Sequence, residues 1–276
     1  MPVPERSAGE APGAEDHSGD VALLNEAARA AGEIARRHFG RGPASWEKEA
    51  GQGPVSEADL EIDLMLRDRL LAARPGYGWL SEESADDPER LGREAVFIVD
   101  PIDGTRAFLE GQKGFAHALA IARGGKVTAA VVHLPLLDRT YSARAGHGAF
   151  LNDQPLVTPL RTGLLGARIL ASRGQLDPGL WPGGLPLVER HFRPSLAWRL
   201  CLVAEGAFHG TVTLRDTWDW DTAAASLIAA EAGTRVTDRF GAPLAFNTPQ
   251  PRSAGLLAGP APVHEGFLQG LGLPGG

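Results

Sequence analysis

The string Asp100-Pro101-Ile102-Asp103-Gly104-Thr105 puts two carboxylates three positions apart, directly after an uninterrupted apolar run over residues 95–99. Such a run predicts a buried strand ending abruptly at Asp100. A carboxylate there is costly unless something compensates its charge. A hard divalent cation does so, because Mg²⁺ takes oxygen ligands, typically carboxylates, waters and phosphate oxygens. Pro101 stiffens the turn and Gly104 is expected to let the backbone approach a ligand closely. Thr105 is expected to open a helix through Phe108, whose free N–H groups favour an anion. Asp-Pro and Asp-Gly are also ordinary turn pairs, so the chemistry needs further acids. Glu82, in Ser81-Glu82-Glu83-Ser84, follows a short strand-like segment. Asp221, in Trp218-Asp219-Trp220-Asp221-Thr222-Ala223-Ala224, precedes an Ala-rich helical pattern. An acid there is ordinarily an N-cap, a role compatible with binding a metal.

In this order and spacing, Ser-Glu-Glu-Ser, Asp-Pro-Ile-Asp-Gly-Thr and Trp-Asp-Thr-Ala-Ala resemble the inositol monophosphatase superfamily. These lithium-sensitive, metal-dependent phosphatases include inositol monophosphatases, bacterial 3′(2′),5′-bisphosphate nucleotidases, histidinol-phosphatases and fructose-1,6-bisphosphatases. The resemblance runs from about residue 20 to the C-terminus. Gly53-Pro54-Val55-Ser56-Glu57-Ala58-Asp59 is similar to the family's Pro-Val-Thr-x-Ala-Asp segment, with Ser56 in place of Thr. The resemblance implies hydrolysis of a phosphate monoester by a metal-activated water, with two or three Mg²⁺ ions per site. Glu82, Asp100 and the Ile102 carbonyl are implied for one ion. Asp100, Asp103 and Asp221 are implied for a second, and Glu82 for a weaker third. Thr105 is implied to polarise the attacking water, with Asp59 orienting its hydroxyl, and Asp103 and the Gly104 and Thr105 amides to meet the phosphate. The implied fold is a layered αβαβα sandwich, with a largely antiparallel N-terminal sheet and a second C-terminal sheet.

The substrate is less sharply written. Inositol monophosphatases usually carry Glu seven positions before the last metal-binding Asp, and that position is Leu214. Their Gly-Ser-Ala segment corresponds to Pro194-Ser195-Leu196, and a Pro has no N–H to offer a substrate. Leu200-Cys201-Leu202-Val203-Ala204-Glu205-Gly206 resembles a segment of the bisphosphate nucleotidases, and Arg199 falls where they carry Lys. Arg215 is a second candidate for meeting a further phosphate. The expected activity is therefore that of a 3′(2′),5′-bisphosphate nucleotidase, converting 3′-phosphoadenosine 5′-phosphate to AMP. The alternatives are an inositol-1-monophosphatase or a related sugar-phosphate or histidinol-phosphate phosphatase. A non-catalytic metal-binding regulator of the same fold is the alternative of another class.

The elements that must position these residues are legible in outline. Residues 1–19 are expected to form a disordered tail, 20–155 an α+β half carrying most metal ligands, and 156–276 an α/β half closing the site. Asp20 is expected to cap a helix through Leu24, Ala27, Ala31 and Ile34. Ser56 and Asp59 form a capping-box pattern opening a helix through Leu60, Leu64 and Leu71. Residues 116–122 and 127–133 flank Gly124-Gly125 as a hairpin. A helix is expected over 196–205, another over 222–232, and a last one over 263–271. His117, His133 and His209 lie in strand-like runs and are expected in the core or at sheet edges.

With 34 acidic and 27 basic residues the chain carries a net charge of −7, opposite in sign to a nucleic-acid backbone binder. Its single cysteine, Cys201, allows no intrachain disulfide and no Cys-based zinc site. No run approaches the ~20 apolar residues of a membrane span, and no signal-peptide pattern opens the chain. The expectation is a cytoplasmic protein acting on a small soluble phosphate ester, without nucleic-acid or membrane partners and with a homodimer as the family habit.

Overall fold

The computed structural model describes residues 19–48 and 53–274; the expected tail, save Gly19, lies outside the described residues. The first helix, α1 (Asp20–His38), buries the stripe Leu24, Ala27, Ala28, Ala31, Ile34 and Ala35. Its N-cap is Gly19, not Asp20 as expected. The buried Asp20 carboxylate instead accepts from Arg74 (3.1 Å) and Arg123 (2.9 Å), tying the start of α1 to neighbouring elements. A short antiparallel pair, β1 (Ser45–Glu47) and β2 (Pro54–Ser56), leads into α2 (Glu57–Ala73).

The Ser56/Asp59 capping box at the start of α2 is formed. The helix presents another face than expected: Leu60 and Leu64 are 40% and 61% exposed, while Ala58, Ile62, Leu66 and Leu70 are buried. Both sets have helical spacing. Which one faces inward is decided by Asp59, which is itself buried beside Ala58 because it bonds to Thr105 across the interior.

The larger sheet contains β3 (Gly78–Ser81), β4 (Ala95–Asp103), β5 (Ala116–Arg123), β6 (Lys126–Leu134), β7 (Arg139–Arg144), β8 (Ala149–Leu151) and β9 (Gln154–Leu156), in sequential order. Only β3 and β4 run parallel. A short α3 (Thr105–Leu109) follows β4 directly. The β5–β6 hairpin turns at Gly124 and Gly125, both at positive φ (54° and 77°), as a two-residue turn of this type demands.

The second sheet has the order β11 (Glu189–His191), β10 (Arg168–Leu170), β12 (Gly210–Thr213), β16 (Leu256–Gly259), β14 (Arg235–Thr237). Its helices are α4 (Leu196–Ala204), α5 (Asp219–Glu231) and α6 (Ala261–Gly270), and β13 (Thr217–Trp218) pairs with β15 (Arg252–Ser253) beside it. Helices α1 and α2 bury Phe97, Phe108 and Phe115 against one face of the larger sheet. Helices α4 and α5 fill the space between the sheets, where Ala223, Ala224, Ala225 and Ala229 permit close packing. Helix α6 covers the outer face of the second sheet through Val263 and Phe267. The αβαβα layering is the one expected. No helix among the described residues is long and apolar enough to cross a membrane.

Candidate active site

The site begins with an irregularity in β4. Its pairing with β5 runs in register to Asp100↔Ala118 and resumes at Asp103↔Ala116. Pro101 and Ile102 therefore oppose a single residue, His117. The strand thus continues beyond its expected end at Asp100. Side chains alternate faces along a regular strand, so residues an odd number apart point opposite ways. One extra residue restores the parity. Asp100 continues the Val96/Ile98 side toward α4 and α5, and the bulge brings Asp103 to that side as well. An Asp-x-x-Asp pair on a strand can converge in no simpler way.

Asp221 arrives from the start of α5. It occupies the third position of α5, not the cap expected of it; Trp218 is the N-cap, and its N–H donates to the Asp221 carboxylate (3.3 Å). This helix start is firmly anchored. Trp218 stacks on Trp220 at 4.6 Å, with the Arg252 guanidinium 3.6 Å from the Trp218 ring centre. Asp219 accepts from the Asn247 N–H and donates its own N–H to the Pro251 carbonyl, both at 2.9 Å.

Asp100, Asp103 and Asp221 each offer an oxygen within 4.8 Å of the others. Burial pushes all three carboxyls above the usual range; Glu82 is the strongest neighbouring charge on Asp100, and Asp103 on Asp221. Asp103 is partly relieved by the start of α4, where Ser195 Oγ (2.7 Å), Ala197 N (2.6 Å) and Leu196 N (3.2 Å) donate to it. Asp100 Oδ1 is buried with no partner. Three crowded carboxylates with an orphaned oxygen are a hard, anionic donor set that fits a divalent cation such as Mg²⁺.

Glu82 stands apart from this group. Its carboxylate accepts from Lys48 (2.8 Å), which also bonds Glu83 (2.6 Å). Its charge still acts on both Asp100 and Asp221. Lys48 and Ser195 were not among the expected site residues. The signal for Lys48 was its rarity, one of three lysines in the chain. Ser195 lay in plain view as the N-cap of the expected helix.

Asp59 and Thr105 meet as expected: Thr105 Oγ1 lies 2.9 Å from Asp59 Oδ1 and 3.0 Å from the Ile102 carbonyl. Asp59 also accepts from the backbone N–H and hydroxyl of Ser56. Burial outweighs these bonds and raises its carboxyl to about 6. Gly104 adopts φ 102° and ψ 36°. A Cβ there would meet Phe115 and Ser195 atoms only at 3.6 Å, so conformation, not crowding, requires glycine.

A cavity of about 500 Å³ opens beside the carboxylates, lined among others by Gln175, Phe192, Arg199, Thr213 and Arg215. Arg199 is buried. Its Nε donates to the Arg193 carbonyl (2.5 Å) and its guanidinium lies 4.6 Å from the Phe192 ring centre. Neither Arg199 nor Arg215 forms an ion pair among the described residues. Leu214 is buried, with its N–H donating to Gln175 Oε1 (2.5 Å). Cys201 is a buried free thiol, and His117 and His133 are buried while His209 is partly exposed.

The model of the inositol monophosphatase family matches residues 18–268. The chain is 38% identical over 244 residues to an inositol-1-monophosphatase of Rhizobium meliloti (strain 1021), covering 80% of this chain and 86% of that one. It is 30% identical over 236 residues to the 3′(2′),5′-bisphosphate nucleotidase CysQ of Aggregatibacter actinomycetemcomitans, covering 80% and 85%. Among solved structures, the Thermotoga maritima IMPase superposes with a TM-score of 0.79 at 26% identity, covering 92% of this chain and 96% of that one.

Proposed function

The chain belongs to the inositol monophosphatase family and is a metal-dependent phosphatase; from that premise we propose that it hydrolyses the phosphate monoester of a small polyol of the inositol 1-phosphate type. The convergence of Asp100, Asp103 and Asp221 beside an open cavity carries the phosphatase chemistry. The relatives at 38% and 34% identity named as inositol-1-monophosphatases favour the polyol over the nucleotide that the sequence suggested.

Asp100, Asp103, Asp221 and the Ile102 carbonyl would hold the cations, with Glu82 near enough to join them once Lys48 releases it. Divalent ions held there supply Lewis-acid stabilisation to the phosphoryl group and make an adjacent water more acidic. Two ions for turnover and a looser third at Glu82 is the count we propose. Thr105 has one hydroxyl proton and two acceptors, Asp59 and the Ile102 carbonyl. With its proton given to the ionised Asp59, its lone pairs are free to accept from the attacking water and aim it. The Gly104–Thr105 turn faces the phosphate, and the start of α4 holds Asp103 still.

A second reading keeps the bisphosphate nucleotidase in view, because Arg199 and Arg215 line the cavity and bond to no carboxylate. Paired guanidiniums match a second phosphate bidentately, and Leu214 offers nothing to a polyol hydroxyl. Phosphate release from inositol 1-phosphate and from 3′-phosphoadenosine 5′-phosphate, with Mg²⁺ and with EDTA, separates these readings. Tenfold higher kcat/KM on the nucleotide selects the second; no EDTA-sensitive release from any phosphate monoester removes both.

A further inference from the structure

Behind the carboxylates, on the α1/α2 side of the larger sheet, lies a polar ring among apolar neighbours. His117 is fully buried, edge-on to Phe115 at 6.0 Å, and pairs in register with His133, their rings 6.2 Å apart. Its Nδ1 bonds to the Pro101 carbonyl. A carbonyl only accepts, so Nδ1 carries the proton and Nε2 is bare. Nε2 is buried with no partner. Burial pushes the ring down to about 3, so it is neutral at any working pH.

An aliphatic side chain would fill this place without leaving a buried nitrogen unsatisfied, which is unfavourable. The compensation lies at the bulge. Two residues of β4 oppose one of β5 there, so the regular ladder cannot serve both of their carbonyls. Ile102 O faces Thr105 and is a proposed cation ligand, whereas Pro101 O accepts from His117. The Pro101 carbonyl inside the bulge is thus held by a side chain.

We infer that His117 is a positioning residue for the cation site: by pinning the Pro101 carbonyl on the α1/α2 face, it holds the bulge that turns Asp100 and Asp103 together toward the cavity. It touches neither ion nor substrate and acts through two peptide units. This inference rests on the proposed metal site, and the experiment separates the two.

Three replacements isolate the bond. His117→Asn keeps an N–H near the place of Nδ1, His117→Gln moves the amide out to the place of Nε2, and His117→Leu removes it. Mn²⁺ affinity is measured directly by calorimetry or EPR, beside the melting temperature in EDTA. Second-sphere groups typically set affinity by 10–100-fold, so the Leu and Gln proteins are expected to bind Mn²⁺ about tenfold or more weakly, and Asn within about threefold of wild type. A merely structural role would lower the melting temperature of the Leu protein and leave affinity unchanged. Wild-type affinity in a folded Leu protein, or equal affinities of the Asn and Gln proteins, overturns the inference. Should the Leu protein fail to fold, the Asn–Gln difference decides alone. A wild-type protein that binds no Mn²⁺ removes the metal site itself.

Discussion

The carboxylate side of the cavity and its arginine side are built on different principles. On the first, Asp100 and Asp103 belong to one nine-residue strand, buried and braced by the start of α4, Thr105 and His117. On the second, Gln175, Phe192, Arg199 and Arg215 come from separate loops and one helix, and Arg215 and Phe192 are exposed. A rigid, desolvated end suits chemistry that tolerates little displacement. An end assembled from loops can change its side chains without disturbing that chemistry.

The sharpest way to break the contrast is at the rigid end. Asp100→Asn and Asp221→Asn should each lower kcat on the order of 10³-fold or more. The fold should survive, since each change removes a charge that burial disfavours; phosphate release and circular dichroism check both halves of this outcome. Normal turnover by either protein would sink the assignment. Next in size, Asp59→Asn should lower kcat about 10²-fold with little change in KM, as expected for a group that orients a proton acceptor. Steady-state kinetics at saturating Mg²⁺ would show it.

The arginine side should respond differently. Arg199→Met should raise KM about tenfold for a substrate with a second phosphate, equivalent to ~1.4 kcal/mol, and alter kcat far less. A fall in kcat matching that of Asp59→Asn would erase the distinction between the sides.

The smallest effect is a pH slope. Folding raises the carboxyls of Asp100, Asp103 and Asp221, with Asp59 at about 6 and Glu83 at about 7. A group whose folded value is raised contributes stability that is full below its unfolded value and is lost as pH rises through the folded one. The buried imidazoles of His117, His133 and His264, which folding pushes down, act in the opposite sense until about pH 7, so the carboxyl contribution is read above it: calorimetry in EDTA should show the melting temperature falling by a few degrees from about pH 7 to about pH 9. Saturating Mg²⁺ should flatten that fall, because bound cations favour the ionised carboxylates. A metal-free melting temperature that rises over this interval contradicts the burial of the cluster.

Much of the architecture could be read from local pattern. The β5–β6 hairpin, the Ser56/Asp59 box and the α4 segment each follow from residues close in the chain, and each formed near its expected place. The errors share one cause. Leu60 and Leu64 obey the same helical period as the buried stripe of α2, so periodicity could not choose between them. Asp20 stands where local pattern makes it a helix cap, while two arginines distant in sequence claim it.

The sequence by itself determined the inventory: which acids were present, that two of them ended a buried strand, and which family they resembled. Only the tertiary structure decided how that inventory was used. Strand parity would have separated Asp100 from Asp103; the bulge reunited them, and packing of α5 against the larger sheet delivered Asp221. The reason is that composition and spacing constrain the torsions of neighbouring residues, whereas convergence depends on how distant elements share one interior.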